Sequence, residues 1–510
     1  MNRSFQRKVT YLALIAALLI PLSMVGRPSS LDPGGGADSG GGKLAELRTE
    51  YKLGQAQLGK IDPTTSAIRY LSLGGHGIAV CVLQQKAAEY QKEKEWIKRS
   101  AVLQQITHLL PYYVNTWKNE GWNVSFNIAS EWDDYREKYY WVIRGLKLLH
   151  RGMDYNELEP TFPYELGWTM GHKIGQADEK HEFRRLFRAD DDSRKKLVPL
   201  TGEDVAGWAE ERDNFLYARR YFRFAQDMVD RRGATLKSMA AENFNNQLPI
   251  IQGQYAQALE RDGDFSERAR AAWRQTHADW LGFGAREFPS IHGYFFRIDS
   301  LAKTEADLKE AQAKFEALAP GLREKIVAEK ETKLTPEQRA ALKVPEENRK
   351  DEDLRAIYFA ERITHTDEPE IAERVEGPQR EEARRLAAEV MRLRILATES
   401  RGLRKIYNYE YWLARSEMEQ SDEALKARRL FHNAMRDADD RPWEAKKMFE
   451  EGFGLWAEIV KKYPPMIEDQ SAYEITDKIK TYQNVLSQLD EKFDRANFPL
   501  RDLMDRNNMQ

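Results

Sequence analysis

This sequence has a single cysteine, Cys81, in 510 residues. One thiol cannot form an intramolecular disulfide, and it cannot supply a structural zinc site built from several thiolates. The chain also lacks an excess of either charge, since 79 Lys and Arg face 82 Asp and Glu, which leaves a net charge of −3. There is therefore no general electrostatic reason for the protein to bind nucleic acid, and we expect no nucleic-acid partner.

The glycine-rich motif of a phosphate-binding loop is also missing. The glycine cluster Leu73–Ile78 has no Lys-Ser or Lys-Thr pair and follows no predicted strand. We interpret it as the start of a helix on which Cys81 is a small core residue, because nothing nearby would lower the pKa of the thiol. The sequence therefore predicts no nucleotide cofactor.

Histidines and carboxylates are densest between His172 and Asp192, where they could supply metal ligands. This segment has neither the paired histidines of a zincin helix nor the glycine and closing glutamate of a calcium loop. We interpret Arg184, Arg185 and Arg188 as a basic face, with the aspartates capping the next helix. No nucleophile-elbow sequence is present either. We therefore predict no metal site, no catalytic residue and no cofactor, and we expect that the protein is not an enzyme.

One long apolar run is present, near the N-terminus. It extends from Val9 to Gly26 after three basic residues, and its 18 residues would span about 27 Å as a helix, close to the thickness of a bilayer core. We predict that 1–27 is a single transmembrane anchor in the inner membrane. The basic flank places the N-terminus in the cytoplasm and the bulk of the chain on the periplasmic or extracytoplasmic side. A cleaved signal is the alternative, although no Ala-x-Ala pattern closes the run.

Composition divides the rest of the chain into four parts. Residues 28–42 are rich in Gly, Ser and Pro and predict a flexible tether. Residues 43–300 predict a helical domain. Residues 301–400 contain 19 basic and 23 acidic residues and no tryptophan, which predicts a charged helical hairpin or insertion with solvated faces. Residues 401–510 regain Trp and Tyr and predict a C-terminal helical domain.

Helical spacing of apolar residues dominates from residue 43 onward, as at Leu386, Val390 and Leu393, and no convincing alternating strands occur. Capping residues also mark the starts of some predicted helices. Thr335 precedes a first-turn proline and has a glutamine three residues later, and Ser130 has an aspartate at the same distance. We therefore predict a mainly α fold.

Three segments carry prolines, small residues and aromatics at spacings that suit close helix packing. The residues that define them are Pro111, Trp117 and Gly121 in 103–127; Ala256, Gly263, Phe265, Ala269 and Trp273 in 255–280; and Ala445, Phe449 and Pro464 in 445–464. Over roughly a third of the chain these segments resemble tetratricopeptide-repeat-like proteins, in which small residues let antiparallel helices approach and aromatics fill the space between them. The spacing between Phe265 and Ala269 departs from the family pattern by one residue.

The resemblance implies stacked helical hairpins, either as a solenoid or as an irregular array, with a concave groove that binds partners. It places Lys118, Asn119 and Trp122 on the first helix of a repeat, and we predict these three as a partner-binding surface. We predict that Trp132, Tyr135 and Tyr139 fall on one helical face. The aromatic cluster around them could stack on a sugar or a partner side chain, or could fill the interhelical core.

The leading functional hypothesis is a membrane-anchored, exported scaffold that binds a protein or peptide partner. Two alternatives stay open. One is an envelope enzyme that acts on a glycan or another cell-wall substrate, which would need two convergent carboxylates. The other is a purely structural subunit of a membrane complex.

Overall fold

The computed structural model describes residues 76–199, 211–237 and 239–507, together with the single positions 11, 14, 17 and 43. The chain divides into two compact units, Met1–Ala240 (unit 1) and Ala241–Gln510 (unit 2). This boundary lies inside the predicted 43–300 domain. The mainly helical fold is confirmed, because the described residues contain one pair of two-residue strands and are otherwise helices and connections.

In the described part of the chain, no helix combines the length and the apolar character that crossing a bilayer requires. The predicted anchor 1–27 and tether 28–42 lie outside the described residues, apart from positions 11, 14 and 17. The anchor and the extracytoplasmic location stay predictions.

Unit 1 is built from helices of unequal length. They are α1 (His76–Lys92), α2 (Trp96–Leu109), α3 (Val114–Trp122), α4 (Tyr135–Tyr155), α5 (Thr161–Thr169), α6 (Lys180–Ala189), α7 (Asp191–Lys196) and α8 (Asn214–Asp230). Helix α3 continues without a break into the π-helix Asn123–Ile128, and α5 continues into the π-helix Met170–Ile174.

Glycines let α3 and α4 pack closely as an antiparallel pair. A Cβ atom on Gly121 would lie 2.5 Å from Leu149 Cγ, and one on Gly145 would lie 2.7 Å from the carbonyl oxygen of Gly121. Real Cβ atoms do not come so near to other heavy atoms, so only glycine fits at these positions. Farther along α4, a Cβ on Gly152 would lie 2.8 Å from Trp117 Cγ.

Unit 2 contains a longer series of elements. They are α9 (Ala241–Asn245), α10 (Gln247–Arg261), α11 (Glu267–Gly284), β1 (Phe288–Pro289), β2 (Phe295–Phe296), α12 (Leu301–Leu318), α13 (Leu322–Glu331), α14 (Pro336–Ala341), α15 (Asp351–Thr364), α16 (Glu368–Glu373), α17 (Arg380–Ile406), α18 (Tyr409–Met418), α19 (Asp422–Asp437), α20 (Pro442–Lys462), α21 (Asp469–Gln488) and α22 (Arg501–Arg506). Short 3₁₀ turns occur at Ile298–Ser300, Glu346–Asn348, Gly377–Gln379 and Pro464–Ile467. Strands β1 and β2 pair antiparallel, with Phe288 opposite Phe296.

The segment 255–280 forms the antiparallel hairpin α10–α11. The side chain of Gln252 donates to the carbonyl of Ala272 at 3.2 Å, and Ala256 and Ala269 are fully buried. Gly263 lies in the turn with a φ of +83°, a conformation that an L side chain rarely adopts. The turn therefore requires glycine.

The C-terminal core is aromatic. Ala445 and Phe449 on α20 are fully buried, and the ring of Phe449 stacks on that of Phe453 with centroids 5.8 Å apart. Exposed Pro464 follows the end of α20 and begins a 3₁₀ turn. The proline has no backbone N–H to continue the helix, which explains this end point.

Within 301–400, helices α12, α13, α16 and α17 share a small core that includes Phe315, Ile326 and Val390. Exposed ion pairs cover this part, for example Glu373 with Arg380 and Arg384. The region thus pairs opposite charges along its surface around an apolar centre.

Two predicted helix starts had different outcomes. The predicted cap at Thr335 is confirmed: its hydroxyl accepts from the backbone N–H of Gln338, whose side chain accepts from the N–H of Thr335. The prediction for Ser130 was wrong, because Asp134 caps α4 by accepting from the N–H of Arg136. Ser130 instead donates to the carbonyl of Asn127.

Two predictions about side-chain burial were also wrong in part. Cys81 is exposed on α1 rather than part of the core. Arg184 is buried, where it donates to Asp213, so it does not belong to a basic surface face. The aspartate cap is confirmed, since Asp190 accepts from the N–H of Ser193 at the start of α7.

Candidate functional site

A row of aromatic side chains whose rings are in contact lies at the surface of unit 1, and we call it the aromatic strip. It consists of Trp122, Phe126, Trp168 and His172. Successive ring centroids are 5.3, 5.8 and 4.6 Å apart. Trp122 is 50% exposed, and the other three rings are partly exposed. Three ring contacts in series form a continuous face that solvent can reach.

The strip forms because α3 and α5 both pack against α4 and their side chains meet. Lys118 on α3 pairs with Glu165 on α5 at 3.1 Å, and further along both chains Phe126 contacts Trp168. The two helices therefore run in the same direction, and α4 packs against both of them.

Both helices change to π geometry where they carry the strip. Phe126 belongs to the π-helix that continues α3, and His172 and Lys173 belong to the π-helix that continues α5. Single π turns inside α-helices are frequent at functional sites because they redirect side chains from the regular helical positions. Two such turns on one surface distinguish the strip from ordinary core packing.

Positive charge borders the strip. The ammonium of Lys173 lies 5.2 Å from the centroid of the Phe126 ring, a cation–π distance. Burial lowers the pKa of Lys173, and it also lowers the pKa of His172, so the imidazole is neutral at pH 7. His172 Nδ1 is buried without a hydrogen-bond partner among the described residues. The strip thus combines flat apolar faces with a basic edge and a polar atom without a partner.

The three predicted partner-binding residues have different neighbours. Trp122 belongs to the aromatic strip, and Lys118 borders it through its ion pair with Glu165. Asn119 instead lines a cavity of about 200 Å³ that α1 and α2 share with α3. The structure brings Lys118 and Trp122 to one surface and directs Asn119 to another.

The residues of 103–127 that carry the repeat resemblance pack in the core. Trp117 is buried, and its indole N–H donates to the carbonyl of Pro111 at 2.8 Å. Its ring stacks on Tyr155 with centroids 5.9 Å apart. Together with Gly121 against α4, these contacts join the turn before α3 to the end of α4.

The predicted cluster around Trp132 divides between core and surface. Tyr139 is buried and contacts Phe183, while Trp132 is exposed and stacks on Trp141 with centroids 6.4 Å apart. Trp132 precedes α4 rather than sharing a helical face with Tyr139. The prediction of one helical face was therefore wrong for Trp132.

Sequence reasoning missed Phe126, Trp168 and His172 as members of one surface. Trp122 and Phe126 are four residues apart, as are Trp168 and His172, so each pair alone follows ordinary helical spacing. Only the parallel placement of α3 and α5 joins the two pairs.

Unit 2 contains a second unusual feature, a buried charge cluster of Arg415, Glu419, Arg428, Glu474 and Glu260. Arg428 donates to both oxygens of Glu419, which has no exposed surface. Arg415 and Arg428 each donate to Glu474 at 2.8 Å. Glu260 accepts from an indole N–H, that of Trp273, at 2.7 Å. Paired carboxylates of this kind let guanidinium groups stay buried.

The carboxyl groups of the cluster differ in their protonation. Burial alone would raise the pKa of Glu474, but the charges of Arg415 and Arg428 hold it at about 2. Burial, and then the charge of Glu419, raises the pKa of Glu260 to about 8. Glu260 is therefore mainly a neutral acid at pH 7. A sequence signal existed for the cluster, since Arg428 lies on the buried face of α19 beside Ala424, Ala427 and Phe431.

Among the described residues, no three His, Cys, Asp or Glu side chains are grouped so that they could hold a metal ion. No protein-family model, curated protein or solved structure matches the chain. The candidate sites therefore depend on their own geometry and chemistry.

Proposed function

We propose that this protein is a membrane-anchored, exported interaction scaffold that binds a segment of a protein partner through the aromatic strip of unit 1. The observation that carries the proposal is the continuous series of ring contacts among Trp122, Phe126, Trp168 and His172, in which Trp122 is exposed and the other three rings are partly exposed. Tryptophan and other aromatics are enriched at protein interfaces, where they bury a large rigid area at low entropic cost.

The chemistry of the strip defines the partner segment. Flat rings favour an apolar or aromatic side chain that stacks on them, and the basic edge at Lys173 favours an acidic residue next to it. We therefore infer a short segment with an acidic residue beside apolar ones. The ring contacts run from α3 to α5, and such a row favours an extended segment over a compact one.

Site-specific photo-cross-linking in intact cells tests this proposal. A photoreactive phenylalanine analogue replaces Trp122 in the full chain, and a matched chain carries it at Trp443, an exposed tryptophan of unit 2. A protein partner that cross-links at residue 122 but not at 443 is then purified for affinity measurements. We expect Trp122→Ala to weaken its binding at least tenfold, as for an interfacial tryptophan, and Trp443→Ala to leave it unchanged.

Two results would overturn the proposal. One is the absence of any cross-link specific to residue 122. The other is an equal affinity of the Trp122→Ala and Trp443→Ala chains for the partner, with both variants shown to be folded by circular dichroism.

A glycan ligand is the second candidate, and the exposed flat ring of Trp122 is the observation that favours it, because aromatic faces stack on sugars. Binding of soluble peptidoglycan fragments to the full chain, followed by tryptophan fluorescence, tests this candidate. Saturable binding that Trp122→Ala removes would favour the glycan over a protein partner.

A further inference from the structure

Unit 2 has an open cleft of about 640 Å³ above the buried charge cluster. Its walls come from α10, α19 and α21, and its floor includes Arg415, Arg428 and Glu474. The volume lies within the range of small-molecule sites, roughly 300–1,000 Å³. Five of the lining side chains are Arg or Lys and two are Glu, so the cleft is basic.

The floor of the cleft is balanced in charge. Two guanidinium groups, Arg415 and Arg428, form ion pairs with two carboxyl groups, those of Glu474 and Glu419. Glu260 adds little negative charge at pH 7, since burial keeps it mainly protonated. The remaining cations of the lining are Arg261, Arg436 and Lys478 on the walls, of which Arg436 pairs with Asp437.

One charged residue of the cleft wall, Lys478 on α21, has no partner of opposite charge in direct contact within the described residues. Its side chain is half-buried and has no ion pair or hydrogen bond within the described residues. Burial, and then the charge of Arg428, lowers the pKa of Lys478, although the charges of Glu474 and Asp477 act in the opposite direction. An anion in the cleft would supply the missing partner.

His432 on α19 adds a hydrogen-bonding group to the same cleft. Burial, with the charges of Arg436 and Lys478, lowers the pKa of His432, so the neutral ring keeps one N–H to donate at pH 7. The imidazole packs edge-on against Phe265, with ring centroids 5.5 Å apart. This contact helps to hold the ring at the cleft wall.

An apolar surface lies beside these polar groups. Met435 is 38% exposed on α19, and Phe265 and Phe431 complete the apolar part of the lining. A thioether and two aromatic rings adapt well to a flat or branched hydrocarbon body. The cleft thus offers both positive charge and apolar surface.

We propose that this cleft binds a small organic anion, a carboxylate or phosphate carried on an apolar or aromatic body. The anionic group accepts hydrogen bonds from Lys478 and His432, and the body packs against Phe265 and Met435. This binding site is separate from the aromatic strip, and its existence does not depend on the function proposed for unit 1.

Isothermal titration of the purified full chain tests the site with four probes: phenyl phosphate, phenylacetate, inorganic phosphate and benzyl alcohol. We expect saturable binding of one or both aromatic anions, and at least tenfold weaker binding of the neutral alcohol and of inorganic phosphate. Phenyl phosphate and phenylacetate then distinguish a phosphate from a carboxylate ligand.

Lys478→Gln and Lys480→Gln form a matched pair of variants, because Lys480 is exposed on the same helix and does not line the cleft. We expect Lys478→Gln to weaken binding of the aromatic anion about tenfold or more, the effect of one charge-assisted hydrogen bond, and Lys480→Gln to change it less than twofold. Both residues are at least partly exposed, so both variants should fold, and circular dichroism checks this. We expect His432→Ala to lower the affinity for the aromatic anion as well.

Three outcomes would overturn the proposal. They are no saturable binding of either aromatic anion, equal binding of benzyl alcohol, and equal affinities of the Lys478→Gln and Lys480→Gln variants. Equal binding of inorganic phosphate would remove the apolar body from the proposal and refute the assigned ligand class.

Discussion

Trp273 donates its indole N–H to Glu260 at 2.7 Å, and this hydrogen bond joins the two helices of the α10–α11 hairpin. The tryptophan is fully buried, and the carboxyl group is nearly so. The sequence pattern predicts this tryptophan as a packing residue, and its burial agrees with that role. Its polar edge has a second role, since it holds a carboxyl group next to the arginines of the buried charge cluster.

Replacing Glu260 should change how stability depends on pH. Its pKa is raised from 4.5 to about 8, so the folded chain holds this proton more tightly than the unfolded chain. The stabilisation is complete below about pH 4.5 and is lost as the pH rises through 8. The side chain of Glu260→Gln cannot ionise. The difference in free energy of unfolding between this variant and the wild type should therefore shift in favour of the variant by roughly 2–4 kcal/mol as the pH rises from 5 to 8.

Urea unfolding at several pH values measures this difference. Glu267→Gln, at an exposed carboxylate on α11, is the control and should keep the pH profile of the wild type. A constant difference between Glu260→Gln and wild type from pH 5 to pH 8 would contradict the prediction.

Breaking the buried ion pair of Glu419 should be costly. Arg428 donates to both of its oxygens, and Glu419 itself has no exposed surface. Glu419→Gln leaves a buried guanidinium with less compensation, and we expect a loss of about 3 kcal/mol in the free energy of unfolding. Glu382→Gln removes an exposed pair with Arg385 and should have no measurable effect. Denaturant midpoints of the two variants provide the comparison, and similar midpoints would count against the interpretation.

A methyl group at Gly145 should destabilise unit 1. The added Cβ would lie 2.7 Å from the backbone oxygen of Gly121, and backbone cannot move aside as a flexible side chain can. We expect Gly145→Ala to cost roughly 1–3 kcal/mol. Gly77→Ala on α1, where no atom lies within 4 Å of the new methyl, should be neutral or slightly stabilising. Thermal unfolding of both variants tests this, and an unchanged midpoint for Gly145→Ala would show that α3 and α4 do not pack this closely.

Cys81 should react in the folded protein. Its side chain is exposed on α1, and it is the one thiol of the chain. We expect a maleimide reagent to add one label per chain under native conditions, detected by mass spectrometry, with no label on Cys81→Ser. Labelling that requires denaturant would instead support the core position expected from the sequence.

Much of the secondary structure could be predicted from local chemistry. The cap at Thr335 needs a hydroxyl, a first-turn proline and a glutamine within four residues. The turn at Gly263 needs a residue that tolerates positive φ. Such features depend on near neighbours in the chain, so the sequence contains all the information they require. Ser130 shows the limit, because several residues there can act as the cap and Asp134 does so.

The candidate sites depend on contacts between residues that are far apart in the sequence. Helical spacing places Trp122 and Phe126 on one helix face, and it places Trp168 and His172 on another. The two pairs form one strip only because side chains of α3 and α5 contact each other. The sequence likewise determined that the chain is mainly helical and carries arginines on apolar faces. Which carboxylates reach those arginines was decided by tertiary structure, because a charge is buried only where distant helices bring its partner within hydrogen-bond distance.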